Sequence, residues 1–165
     1  MNKFYKVSKE IFVRDAARLF PMVHEDFFHK AWFEIRLPRR ATKNSAGYDF
    51  FLPFYAEIEP HGTVIIPTGI KAEMHQDVFL QMHIRSSVGI KQGVILSNCT
   101  GIIDADYFNN PDNEGHIMFA LRNMSDKKVF LDSDSGIAQG IFLQFSIAED
   151  DVAEADRLGG IGSTD

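Results

Sequence analysis

Hydrophobic positions along the chain follow different rhythms in different stretches. Behind Ser8, residues Ile11, Phe12, Ala16, Leu19 and Phe20 recur at helical spacing until Pro21, which predicts a helix capped by the Ser8 hydroxyl and stopped by the proline. Glu25 to Ile35 repeats the pattern with Phe27, Phe28, Ala31, Trp32 and Ile35, a stripe that must be buried against a core or another subunit. From Arg36 to Ile147 the texture changes to short β-branched and aromatic runs cut by Gly, Pro and Asn. Thr63 to Ile66 lies between His61-Gly62 and Pro67-Thr68-Gly69, and Val78, Leu80, Met82 and Ile84 alternate with Phe79, Gln81 and His83. Such runs are strands, the second with one clearly apolar face. No helical segments alternate regularly with them as a parallel α/β sheet would demand, so an all-β sandwich or barrel is expected. Near Ala148 a polar stretch begins with Glu149, Asp150, Asp151 and Glu154. The organisation expected is a helical extension over 1–36, a β domain over 37–147 and a C-terminal arm over 148–165.

Composition narrows the function. With 165 residues, 45% of them hydrophobic, the chain can build one core of ordinary size. Its net charge of -6 argues against a general nucleic-acid binder, which needs a basic face to release counterions. Any polyanionic ligand must therefore be met by local cations. Cys99 is the single cysteine, so no intrachain disulfide can form, and the start has no apolar run of signal-peptide type. No apolar stretch approaches the roughly 20 residues that span a bilayer. A reducing cytoplasm is the expected location, with neither membrane nor nucleic acid as partner.

Several familiar motifs fail on spacing. His24 and His29 stand five apart, where a helical zinc pair needs four. Asp132 to Gly136 begins like a calcium loop, but its glycine comes one position early and Leu143 occupies the closing glutamate position, so a turn is expected there. There is no Gly-rich phosphate loop ending in Lys-Ser or Lys-Thr, and one cysteine cannot build the Cys-x-x-Cys part of a zinc deaminase site.

Five segments carry the chemistry that remains: Leu37-Pro38-Arg39-Arg40-Ala41-Thr42-Lys43-Asn44-Ser45-Ala46-Gly47-Tyr48-Asp49; Arg85-Ser86-Ser87-Val88-Gly89; Asn98 followed by Gly101-Ile102-Ile103-Asp104-Ala105-Asp106-Tyr107; Gly136-Ile137-Ala138-Gln139-Gly140; and Arg157-Leu158-Gly159-Gly160-Ile161-Gly162-Ser163-Thr164-Asp165. The second follows a strand and is expected to open a short helix, where unpaired backbone N–H groups favour anions. The third reads as two strands and a turn, with Asp104 and Tyr107 on a tight β-hairpin. A strand offers N–H and C=O groups that can imitate a base partner, and the Asn98 amide can both donate and accept. Gln139 shares a strand face with Ile137, Ile141, Leu143 and Phe145, and an amide there needs either a backbone partner or a ligand.

In this order and spacing the five segments resemble the trimeric dUTP diphosphatases, in particular a branch found in some bacteria and their phages, whose loop after the tyrosine is longer, as at Phe108 to Ile117. The resemblance implies a distorted jelly-roll or β-clip domain, a homotrimer with shared active sites, and Mg2+-assisted hydrolysis of dUTP to dUMP and pyrophosphate by attack of water on the α-phosphorus. It assigns Asp104 as the base that positions and deprotonates water, and Tyr107 as the floor beneath the sugar that excludes a 2′-hydroxyl. Asn98, Gly101, Ile102, Ile103 and Met118 would form the pyrimidine pocket, Met118 alternatively serving as plain core. Arg85, Ser86, Ser87, Gln139 and Arg157 would hold phosphates, and Asp49 would reach the metal through water. Ile161, Gly162 and Ser163 would close over the nucleotide as part of a flexible arm. This chain departs from the family pattern at Ser87, where glycine is commonest, at Gly136, where arginine is usual, at Arg157, two rather than three positions before the glycine pair, and at Ile161, where a phenylalanine covers uracil. A dCTP deaminase of the same architecture is a second possibility, but Ala120 stands where its catalytic glutamate would be. A third is a catalytically weak regulatory protein that binds a partner, suggested by the altered arm.

Overall fold

The computed structural model describes residues 1–133, 135–155, 157, 159 and 160. Strand β1 (Lys3–Lys6) leads into helices α1 (Lys9–Leu19) and α2 (Glu25–Glu34), and then into β2 (Tyr48–Phe51), β3 (Ala56–Ile58), β4 (Thr63–Pro67), β5 (Ile70–Glu73) and β6 (Val78–Ile84). Helix α3 (Ser86–Gln92) is followed by β7 (Val94–Leu96), β8 (Gly101–Ile103), β9 (Met118–Asn123), β10 (Val129–Leu131) and β11 (Gly136–Gln144). The strands form small antiparallel sheets ordered β2-β11-β6-β8, β4-β9-β7, β1-β5 and β3-β10. The expected all-β class holds, with the helices confined to the start of the chain and to α3.

Both early helices lie where the apolar spacing places them. The Ser8 hydroxyl accepts from the Ile11 N–H at 3.3 Å, a cap worth about 1 kcal/mol. Phe12, Val13 and Ala16 of α1, Phe28 and Ala31 of α2, and Ile35 just beyond are buried in one cluster with Phe50, Ile66, Leu80, Phe119 and Leu121 of the sheets. The first 36 residues thus share the core of the β domain. Strand β1, which apolar spacing does not announce, pairs with β5 from Lys3↔Glu73 to Lys6↔Ile70 and sets Phe4 edge-on against Phe50 at 5.5 Å. On α2 the stripe is only partly covered, Phe27 remaining exposed, and Phe33 outside the stripe is exposed as well.

The hairpin expected around Asp104 needs correcting. Strand β7 pairs with β9 (Val94↔Asn123 to Leu96↔Leu121), whereas β8 pairs with β6 (Leu80↔Ile103 to Met82↔Gly101). The strands on either side of the turn Ser97–Thr100 therefore part into different sheets. Each has only three residues, and each gains a longer partner in β6 or β9 than the other could offer. Cys99 turns the chain with a φ of 60°, and its N–H bonds the Leu96 carbonyl at 2.9 Å. Asp104 follows β8, and Ala105–Tyr107 then form a single 3-10 turn.

Candidate active site

A cavity of about 450 Å³ opens where β7 and β8 separate. Asn98 lies in the turn, Gly101, Ile102, Ile103 and Asp104 line one side, Met118 and Ala120 on β9 the other, and Tyr107, Arg157 and Gly160 complete the wall. Strand β8 is an edge of its sheet, bonded to β6 on one side, so among the described residues its outer row of peptide groups has no strand partner and can serve a ligand. Gly101 lets β8 lie close to β6: a Cβ there would stand 3.1 Å from that of Met82. The pyrimidine-pocket residues of the sequence reading thus lie together with Asp104 and Tyr107.

Tyr107 is fixed by its hydroxyl, which donates to the His116 carbonyl at 3.0 Å and accepts from Asn113 Nδ2 at 2.9 Å. Burial, opposed by the Asn113 bond, raises its pKa, so the phenol stays neutral. The expected ordered loop after Tyr107 is tied by its own amides. Asn110 Oδ1 accepts from the N–H groups of Asp112 and Asn113, both at 3.1 Å, and Asn110 Nδ2 donates to the Tyr107 carbonyl at 2.9 Å. Such side-chain turns give a loop a single conformation without a sheet.

The Asp104 carboxylate is half-exposed, and one of its oxygens, Oδ2, accepts from Arg157 Nη2 at 2.6 Å while Arg157 Nε donates to Asp106 at 2.8 Å. Arg157, expected on a phosphate, thus bridges the two carboxylates of the central motif, the nearest anions a guanidinium finds there. Ile161, Gly162 and Ser163 lie outside the described residues.

Of the phosphate-binding candidates, Arg85 and Ser87 line a second cleft, Arg157 lines the Asp104 cavity, and Ser86 and Gln139 line neither. A cleft of about 640 Å³ is lined by Arg39, Arg40, Asp49, Arg85, Ser87 and Lys91, among others, and shares no lining residue with the Asp104 cavity. Four cationic side chains there face one carboxylate, a local reversal of the net charge of -6 that suits a polyanion. Arg85 precedes α3, with Ser86 exposed as the first helical residue. The Arg85 Nε stands 3.3 Å from Asp49, and its Nη1 donates to the Gly136 carbonyl at 3.2 Å. A Cβ on residue 136 would fall 2.8 Å from that Nη1. The glycine that replaces the family's usual arginine therefore seats Arg85. Gln139 packs on Gly47, where a Cβ would come within 2.4 Å of its Oε1, so the Ser-Ala-Gly of the first segment makes room for the amide of the fourth.

The sequence reading missed Arg39, Arg40 and Lys91 as lining residues. One signal was available, since Ser87 and Lys91 are four apart and share a face of α3. Among the described residues no three His, Cys, Asp or Glu side chains group to hold a metal. Asp49, paired with Arg85, could meet a cation only through water and only together with phosphate oxygens.

Short antiparallel sheets around one core, a slot between diverging strands and a separate cationic cleft define a β fold equipped for an anionic ligand. The chain belongs to the dUTPase family, which matches residues 34–164. It is 42% identical over 132 residues to the deoxyuridine 5'-triphosphate nucleotidohydrolase of Lactococcus lactis, covering 79% of this chain and 88% of that one. Its identity to the enzyme of that name from Glaesserella parasuis is 35% over 137 residues, covering 78% and 87%. Among solved structures, the dUTPase from Streptococcus mutans superposes with a TM-score of 0.66 at 41% identity, over 70% of this chain and 91% of that one. The dUTPase from phage phi11 of S. aureus superposes with the same score over 94% of this chain and 97% of its own, but at 16% identity shares the fold alone.

Proposed function

We propose that the chain hydrolyses dUTP to dUMP and pyrophosphate, and that Asp104 is the base. The observation that carries this reading is the placement of Asp104 in one cavity with Asn98, the outer edge of β8 and Tyr107. Uracil would enter between β7 and β8 and take hydrogen bonds from the β8 peptide groups and from Asn98. Tyr107 would lie under the sugar, where a 2′-hydroxyl finds no room. Asp104 takes a proton from a water, the water oxygen bonds to the α-phosphorus, and the bond from that phosphorus to the bridging oxygen breaks. Pyrophosphate leaves with the electron pair, its growing charge met by Ser86 and Arg85. The phosphates would compete with Asp104 and Asp106 for Arg157, releasing the base as substrate arrives.

The separation of the cationic cleft from the Asp104 cavity supports a homotrimer with shared sites, in which one copy presents Arg85, Ser86, Ser87 and Gln139 to the nucleotide held by another. A Mg2+ ion accompanying the triphosphate would be held through water by Asp49 and would supply neutralisation of phosphate charge. No helix among the described residues is long and apolar enough to cross a membrane, and a cytoplasmic location suits the proposed substrate. The deaminase alternative is disfavoured because Ala120, at the position of that relative's glutamate, brings only a methyl group to the cavity wall. Pyrophosphate release from dUTP, dTTP, dCTP and UTP, with and without magnesium, tests the reading. Efficient turnover of dUTP alone is expected, and release of ammonia from dCTP would overturn it.

A further inference from the structure

One buried polar assembly is used by none of these steps. His116 is fully buried and Asp15 of α1 is 1% exposed, yet the imidazole Nδ1 lies 2.8 Å from Asp15 Oδ2. The Gly69 backbone N–H donates to His116 Nε2 at 2.9 Å. A peptide N–H can only donate, so Nε2 accepts, and the imidazole is neutral with its proton on Nδ1, directed at Asp15. The other Asp15 oxygen accepts from Arg14 Nε at 3.0 Å and Nη2 at 2.8 Å, and Arg14 Nη1 continues to the Asp112 carbonyl at 2.9 Å.

The same histidine faces the cavity through its backbone. Its carbonyl receives the Tyr107 hydroxyl, and its N–H donates to the Asn113 carbonyl at 3.0 Å. Asn113 in turn donates to the Tyr107 oxygen. Ile117 and Met118, the next two residues, line the cavity. His116 is thus held by its ring to the N-terminal helix and by its peptide groups to the floor of the pocket. Displacing the ring would leave the Gly69 N–H buried and unpaired, so the position is defined within narrow limits.

We propose that Asp15 and His116 are positioning residues for the sugar floor: helix α1, which precedes the 34–164 family match, sets the height of Tyr107 and thereby the discrimination between deoxyribose and ribose. The inference rests on the reading of the cavity as a dUTP site. Its two ends meet at His116, beside a second path from Arg14 to the Asp112 carbonyl, so cutting the His116 link from either end should move the same readout.

The experiment compares wild type, Asp15→Ala, Asp15→Asn and Tyr107→Phe for kcat and KM with dUTP and UTP, alongside amide hydrogen exchange over residues 105–118. Asp15→Ala is expected to raise KM for dUTP and to narrow the dUTP-to-UTP preference by roughly tenfold, with a smaller change in kcat. Asp15→Asn, which keeps an acceptor for Nδ1, is expected to recover most of the preference, and exchange over 105–118 should accelerate in Asp15→Ala. An Asp15→Ala protein that is merely less stable, with wild-type preference and exchange, overturns the inference. Should Asp15→Ala fail to fold, Tyr107→Phe decides, because removal of the hydroxyl cuts the same link from the pocket side, and an unchanged preference then overturns it. Should wild type release no pyrophosphate from dUTP, the functional reading fails, while the exchange comparison of wild type with Asp15→Asn, or with Asp15→Ala where it folds, still decides whether α1 governs the loop.

Discussion

The Asp104 cavity and the Arg85 cleft solve opposite problems with opposite materials. The cavity is walled by apolar side chains, strand edges and a buried phenol, so whatever enters it is met by directional groups whose hydrogen bonds weaken steeply on displacement. The cleft offers four cations against one carboxylate and asks only that charge be near charge, which tolerates displacement. The difference teaches why the first is braced by a buried network reaching into α1 while the second rests on surface side chains. In one copy of the chain Asp104 and the cationic cleft line separate cavities.

The largest expected effect comes from the cavity. Asp104→Asn keeps the shape but removes the proton acceptor, and pyrophosphate release from dUTP should fall about 10³-fold with KM little altered. Arg85→Ala should lower kcat/KM about 10²-fold, because it takes a cation from the phosphates and leaves Asp49 without its partner. Mixing the two impaired proteins sharpens the comparison. Recovered turnover in mixed oligomers means that cleft and cavity of different copies complete one site, and no recovery means that each copy must use its own pair.

Smaller effects separate the bracing of the two regions. Gly115 has a φ of 81°, and a Cβ there would stand 2.4 Å from the Tyr107 carbonyl. Gly115→Ala should cost about 1–3 kcal/mol of stability in urea and weaken nucleotide binding at the cavity. The smallest effect is on acid stability. Burial works against the charged form of Asp15, but the hydrogen bonds from His116 and Arg14, with the Arg14 charge, outweigh it and hold its carboxyl below the ordinary value of 3.8. A depressed carboxylate stabilises the fold above its ordinary pKa, and the contribution is lost as pH falls through the folded value. Asp15→Asn should therefore flatten the loss of urea stability below about the normal carboxylate range, measured as the unfolding midpoint against pH.

How far the sequence was legible differs between elements. Helices α1 and α2 could be read from spacing and the Ser8 cap because they are local objects, decided within a few turns of chain. Strand β6 showed its buried face by alternation for the same reason. Strand β1 escaped because four residues with Phe4 as the one buried side chain carry no period, and only β5 makes them a strand. The 101–107 segment was read wrongly as a hairpin, since the choice between pairing β7 with β8 and giving each a longer partner is made by strands more than ten residues away in the chain. Asp15 and His116 are 101 residues apart, and nothing local marks either as a partner.

By itself the sequence determined the kind of fold: periodicity, capping and motif order are properties of neighbouring residues, and they specified the early helices and the β-rich region and singled out Asp104, Tyr107 and the Arg-Ser-Ser segment as candidates. Only tertiary structure decided where β7 and β8 diverge, that Arg39, Arg40 and Lys91 join Arg85, that Arg157 rests on Asp104 and Asp106, and that α1 braces the pocket. Those outcomes depend on long-range pairing and on which polar groups can be satisfied once water is excluded, and such competition is settled across the whole molecule at once.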